Sequence, residues 1–142
     1  MKSRSKARVV ALQSLYELDL TDHPLGEVLE ERAQEAELDD SQYQFALVLS
    51  QGVRANTIKL DELIAAHAPE WPLEQVAVID RNILRMALWE IAFNRKTPLK
   101  VGINEAVELA KAFGTDSSPR FVNGVLGSLA DNMDIIINSL GK

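Results

Sequence analysis

Residues 40–67 read DSQYQFALVLSQGVRANTIKLDELIAAH. Within this stretch Phe45, Leu49, Val53, Leu60, Leu63, Ile64 and His67 recur at steps of three, four or seven residues. An α-helix turns by about 100° per residue, so that spacing gathers all seven on one side. A strand would need alternation at period two, and none of convincing length occurs here. Asp40 or Ser41 supplies the capping side chain that begins a helix. Ala68-Pro69 ends it, because proline disfavours helical geometry in the residue before it. The stretch therefore predicts one long buried helix, and an all-α chain around it.

Working outward, the same period continues in both directions. Towards the N-terminus, Val9, Leu12, Leu15, Tyr16 and Leu18 mark an amphipathic helix over 5–20, ended by Thr21-Asp22-His23-Pro24. Asp22 is expected to cap a second helix over 24–38, with Pro24 in its first turn. That helix is poor in large apolar residues. Seven acids lie between Glu27 and Asp40 against a single Arg32, so most of it should face water. Towards the C-terminus, Trp71-Pro72 predicts a short helical turn, and Ile79, Ile83, Met86, Ala87 and Ile91 predict a strong helix over 79–93. After a polar loop over 94–100, Ile103, Ala106, Val107, Ala110 and Phe113 mark another, with Gly114 in the stop position. Ser118-Pro119 then combines a capping hydroxyl with proline at the first helical position. A last helix follows, with Val122, Val125, Leu126, Leu129, Met133 and Ile136 on one face. Asn123-Gly124 would signal a turn in isolation, but the flanking pattern overrides it. Gly124 and Ser128, four apart, would let a neighbouring helix approach closely. About seven helices result, and the loop over 94–100 offers a break between two packed halves without a flexible linker.

At 142 residues the chain has the length of one domain with a real core. Apolar residues make up 46% and charged residues 25%, which is globular composition. It has no cysteine, which excludes disulfides and thiolate metal sites and suits a cytoplasmic protein. The basic N-terminus has no apolar run behind it, so no signal peptide is expected, and no stretch approaches a membrane span. Charge is the uneven property. Lys2, Arg4, Lys6 and Arg8 fall within the first eight residues, and no acid precedes Glu17. Without those four, 11 basic residues face 21 acidic ones, so the net charge of −6 divides into +4 in front and −10 behind. A confined basic segment on an acidic body reads as a contact surface for a polyanion. An ordinary solvated N-terminus would look the same, and four cations alone do not choose.

The remaining chemistry is sparse. His23 and His67 are isolated, Glu105 and Glu108 have no histidine partner, and no metal site is expected. Ser117 and Ser118 lack an activating base, and the seven glycines form no phosphate loop. No catalytic residue and no cofactor are expected. Trp71 and Trp89 are expected to pack in the core, and the Asp80-Arg81 and Arg85-Glu90 charges to form ion pairs on a helix surface. Single-stranded RNA fits better, since phosphates attract Lys and Arg while bases stack on rings and guanidinium planes. The first helix offers Arg4, Lys6, Arg8, Gln13 and Tyr16, and the last helix begins with Arg120-Phe121. Pattern alone favours the core for Tyr16 and Phe121.

Three stretches, taken together, decide between these readings. They are ARVVALQSLY over 7–16, DRNILRMA over 80–87, and INEAVELAK over 103–111 running on to RFVNGVL over 120–126. Their combination and order resemble the NusB family of transcription antitermination proteins, across essentially the whole chain. The resemblance implies an all-helical fold of two small bundles, about 1–68 and 72–140, forming one RNA-binding domain without enzymatic activity. It implies pairing with NusE, a small ribosomal protein, on the boxA element of nascent RNA, and action on elongating RNA polymerase with other Nus factors, notably at ribosomal RNA operons. Carried over by position, Lys2, Arg4, Lys6, Arg8, Gln13, Tyr16, Arg120 and Phe121 would meet RNA. Tyr16, Glu74, Asp80 and Arg81 would face NusE. Many family members begin with a denser arginine cluster, and fewer guanidinium forks weaken bidentate phosphate contacts. The rival reading is a helical protein-interaction scaffold that binds no RNA, with a homodimer as one form. Similar domains also serve as RNA-binding appendages of rRNA-modifying enzymes, but no cofactor-binding domain follows Lys142, so the chain is not expected to be such an enzyme.

Overall fold

The computed structural model describes residues 3–69 and 75–141. Lys2, Glu74 and the Trp71-Pro72 turn lie outside the described residues. Within them run eight α-helices and no strand: α1 (Ser3–Leu20), α2 (Leu25–Glu35), α3 (Asp40–Ala55), α4 (Thr57–His67), α5 (Val78–Leu88), α6 (Leu99–Phe113), α7 (Ser118–Asp131) and α8 (Met133–Leu140). The all-α expectation holds, but two predicted helices are each broken at one asparagine. Helical geometry is interrupted at Asn56 in the stretch over 40–67 and at Asn132 in the last helix, both with φ near −115° to −120°. Asparagine offers the backbone side-chain hydrogen bonds that compete with the helix, and Asn132 Nδ2 donates to Ser128 O at 3.0 Å. The apolar stripe crosses the first break unnoticed because Val53 and Leu60 are seven residues apart. Contacts divide the chain after Ala55, into Met1–Ala55 and Asn56–Lys142; the resemblance set its boundary near 68–72.

In the N-terminal unit α1 packs against α3 and α2. It buries Ala7, Val10, Ala11, Leu12, Leu15 and Leu18, while α2 contributes only Val28, Leu29 and Ala33. Each fully buried leucine contributes about 1.5–3 kcal/mol, so packing rather than capping holds these helices. The carboxylates of α2 face water, as its composition implies. Pro24, not Asp22, stands directly before α2, with extended backbone and no side-chain cap. The cap of α3 also falls earlier than expected. Asp39 Oδ1 accepts the Gln42 N–H at 2.8 Å, and Gln42 Oε1 accepts the Asp39 N–H at 2.9 Å. That reciprocal pair is a capping box. The α1–α2 turn is tied by Glu17, whose carboxylate meets Arg32 Nη2 at 2.9 Å and His23 Nδ1 at 2.8 Å. Those bonds, His23 first, hold the Glu17 carboxyl below its ordinary range.

In the C-terminal unit α5 is the central helix, in contact with α4, α6 and α7. From Asn82 through Ala92 every residue is buried, including the first four residues of the π-helical turn Trp89–Asn94 that continues α5. This overturns the reading of its charges as surface ion pairs. Arg85 donates from Nε to Asp61 Oδ1 at 2.7 Å and from Nη2 to Asp61 Oδ2 at 2.8 Å, reaching α4. Glu90 instead accepts the Thr97 hydroxyl at 2.9 Å, and Asp80 accepts that of Ser118 at 3.0 Å. A helix surrounded by neighbours has no wet face for its charges, so each must find a partner inside. Close approach is achieved at Gly102, where a Cβ would lie 2.6 Å from Ile91 Cδ1.

Candidate nucleic-acid interface

The cations of α1 separate onto two faces. Arg4 and Arg8, one turn apart, both lie over the Phe45 ring of α3, their guanidinium carbons 4.9 and 5.1 Å from its centroid. These distances fit cation–π contact. Arg4 is exposed, whereas Arg8 is only 5% exposed. Lys6, Gln13 and Tyr16 fall together on another side, at steps of seven and three, with half-buried Val9 between them. Tyr16 is 39% exposed and Leu20, one turn further, 58%. Tyr16 is therefore a surface ring and not the core residue its spacing allows. Lysine, amide and phenol along one face combine charge, hydrogen bonding and stacking. Phe45 was missed as part of this site because it continues the apolar stripe of α3. The available signal was Arg4 and Arg8 at helical spacing, four residues apart.

The start of α7 is fixed by a different device. Ser118 Oγ accepts the Thr115 N–H at 2.9 Å and donates to Asp80 Oδ2 at 3.0 Å. Its hydroxyl thus joins the α6–α7 turn to α5, and the expected capping of its own helix is not made. Gly114 ends α6 in extended, not left-handed, backbone, and a Cβ there would come within 2.4 Å of Ser118. Glycine is needed because Ser118 occupies that space. With the turn locked, Val122, Val125, Leu126 and Leu129 face the core. Arg120 is left exposed on the opposite side and Phe121 half-buried on the flank. The basic face of α1 lies in the N-terminal unit and the Arg120-Phe121 pair in the C-terminal one.

Of the residues expected to face a protein partner, Tyr16 is exposed, and Asp80 is buried against Ser118. Arg81 is half-buried and donates from Nη2 to Val76 O at 3.1 Å. Among the described residues no helix is long and apolar enough to cross a membrane.

Known proteins are similar to this chain in sequence and fold. The sequence profile of the NusB family matches residues 5–131. Transcription antitermination protein NusB of Dehalococcoides mccartyi (strain CBDB1) is 47% identical over 90% of this chain and 90% of its own. Its namesake from Roseiflexus castenholzii is 47% identical over 89% and 90%. Among solved structures, T. maritima NusB is 33% identical with a TM-score of 0.79, covering 95% of this chain and 90% of that one. A crystal structure of antitermination factors NusB and NusE in complex with dsRNA gives a TM-score of 0.80 at 25% identity, over 98% of both chains. The profile match and these relatives cover nearly the whole sequence, and the chain belongs to the NusB family.

Proposed function

We propose that this chain is a transcription antitermination factor that binds boxA-type single-stranded RNA of nascent transcripts, notably from ribosomal RNA operons. It does so together with NusE, and with other Nus factors it modulates elongation by RNA polymerase. The observation that carries the RNA reading is the surface of α1, with exposed Arg4 on one face and exposed Tyr16 beside Lys6 and Gln13 on another, on a chain of net charge −6. Lys2, Arg4 and Lys6 meet phosphates, Gln13 hydrogen-bonds a base or sugar, and Tyr16 stacks. Arg8 acts from beneath, beside Arg4 on Phe45. Arg120 and Phe121 repeat the pairing of cation and ring at the start of α7, a helix end whose amides also favour anions. NusE meets Tyr16, Glu74 and Arg81, while Asp80 supports that surface through Ser118. The acidic body steers a basic protein and suppresses indiscriminate RNA binding.

The test is the salt dependence of binding to a boxA-type RNA. For single strands each lost phosphate contact lowers the slope of log K against log salt by about 0.7. Replacing Arg4 and Lys6 by alanine together should lower it by about 1.4 while the helical circular dichroism persists. A slope identical to that of the unaltered protein would remove α1 from the RNA surface.

A further inference from the structure

We infer that Phe45 and Gln42, at the start of α3, are positioning residues for RNA binding: they hold the basic first turns of α1 helical and aimed before RNA arrives. The inference rests on the reading of Arg4 and its neighbours as an RNA contact, and it concerns how that contact is prepared.

The first turns of α1 are poorly suited to being helical on their own. A helix N-terminus carries partial positive charge and unpaired N–H groups, so cations there are unfavourable and acids favourable. The first turn of α1 has no acid, and Arg4, Lys6 and Arg8 crowd its opening residues. Such a segment frays unless it is tied down. Two contacts from α3 tie it. Gln42 Nε2 donates to the Ser3 carbonyl at 3.2 Å, while the same amide is fixed from its other end, its Oε1 accepting the Asp39 N–H. Three residues later, one turn along α3, the Phe45 ring receives both guanidinium groups. The ring faces cations that would otherwise repel each other, and its negative π-face offsets part of that repulsion. Gln42 thus fixes the backbone of the arm and Phe45 fixes its side chains.

The consequence is preorganisation. An arm that orders only on binding loses affinity to the entropy of ordering, and one already held does not. This bears on the sparse cations of this N-terminus, which has two arginines in its first eight residues. The few guanidinium groups present are held in place, and Arg4 is presented to solvent from a fixed base.

The experiment compares the full-length protein with Phe45→Leu, Phe45→Tyr, Gln42→Ala, Arg4→Ala and the double variant Arg4→Ala/Phe45→Leu. Affinity for a boxA-type single-stranded RNA is read by fluorescence anisotropy, and amide hydrogen exchange over residues 7–10 without RNA. Leucine keeps an apolar side chain against α1 but removes the π-face; tyrosine restores it. Phe45→Leu should bind about fivefold more weakly, Phe45→Tyr like the unaltered protein, and Arg4→Ala should add little once Phe45 is leucine. Gln42→Ala, at a half-buried polar position outside the apolar core, should accelerate exchange over residues 7–10 and weaken RNA binding. The inference fails if Phe45→Leu and Gln42→Ala both bind RNA like the unaltered protein while Arg4→Ala weakens binding. If Arg4→Ala also binds unchanged, the RNA reading of α1 fails with it.

Discussion

The two units treat their charged side chains in opposite ways. In the N-terminal unit, carboxylates and cations meet at the surface, Glu17 with Arg32 and His23 on the α1–α2 turn and Asp19 with Arg54 at 3.7 Å. In the C-terminal unit Lys111 and Glu108 also pair at the surface, but three buried charged groups turn inward: Arg85 to Asp61, Glu90 to Thr97, Asp80 to Ser118. Surface pairs are solvated, salt-sensitive and weak. Buried ones cannot be left half-made, because the surviving group has no water to turn to. The C-terminal unit therefore uses charge to specify which helix meets which. The N-terminal unit keeps most of its charge where solution can reach it, with Arg8, at 5% exposure over the Phe45 ring, as an exception.

The largest test of this contrast is Asp61→Ala. Arg85 has a side-chain exposure of 7% and Asp61 of 33%, so the variant takes the carboxylate away from a guanidinium held inside the unit. The expected loss is about 3 kcal/mol, at the low end for a buried pair because Asp61 is partly wet. Urea unfolding reads it, and a loss below about 0.5 kcal/mol would place this pair with the surface ones. Next in size is Ser118→Ala. It removes the donor to Asp80, whose Oδ1 already has no hydrogen-bond partner among the described residues, and the acceptor for Thr115. A cost of about 2 kcal/mol is expected, again from urea unfolding. A neutral result would mean that the α6–α7 turn keeps its form without the hydroxyl.

What could be read from the sequence follows the same division. Helical class and the helical reading of Asn123-Gly124 rest on periodicity, which one residue after another reinforces, while the water-facing α2 rests on its run of acids and the stop at Ala68-Pro69 on proline. The buried ion pair of Arg85 was hidden because periodicity assumes a wet face and a dry face. A central helix such as α5 has only dry ones. The break at Asn56 was hidden because seven residues, two turns, carry the stripe across it. For the candidate site, the cations of α1 and the Arg120-Phe121 pair were visible as residue types. Their division onto two faces, the place of Phe45 under two guanidinium groups and the lock of Ser118 on Asp80 depend on which helices meet. No local pattern encodes that.

The smallest expected effect lies in the N-terminal unit and is distinguished by its pH dependence rather than its size. Glu17 accepts hydrogen bonds from His23 and Arg32, which hold its carboxyl below the ordinary value of 4.5. The unfolded chain takes up the proton more readily, so the pair stabilises the fold above that value, and the contribution is lost as pH falls through the lowered one. Glu17→Gln removes the charge and with it this dependence. The thermal midpoints of the two proteins should differ by a constant, small amount above pH 4.5 and converge below it. Added salt should narrow the difference at neutral pH, since the pair lies at the surface. A difference that ignores both acid and salt would mean that Glu17 acts by packing. The N-terminal unit would then fix its turn in the same closed manner as its neighbour fixes the start of α7.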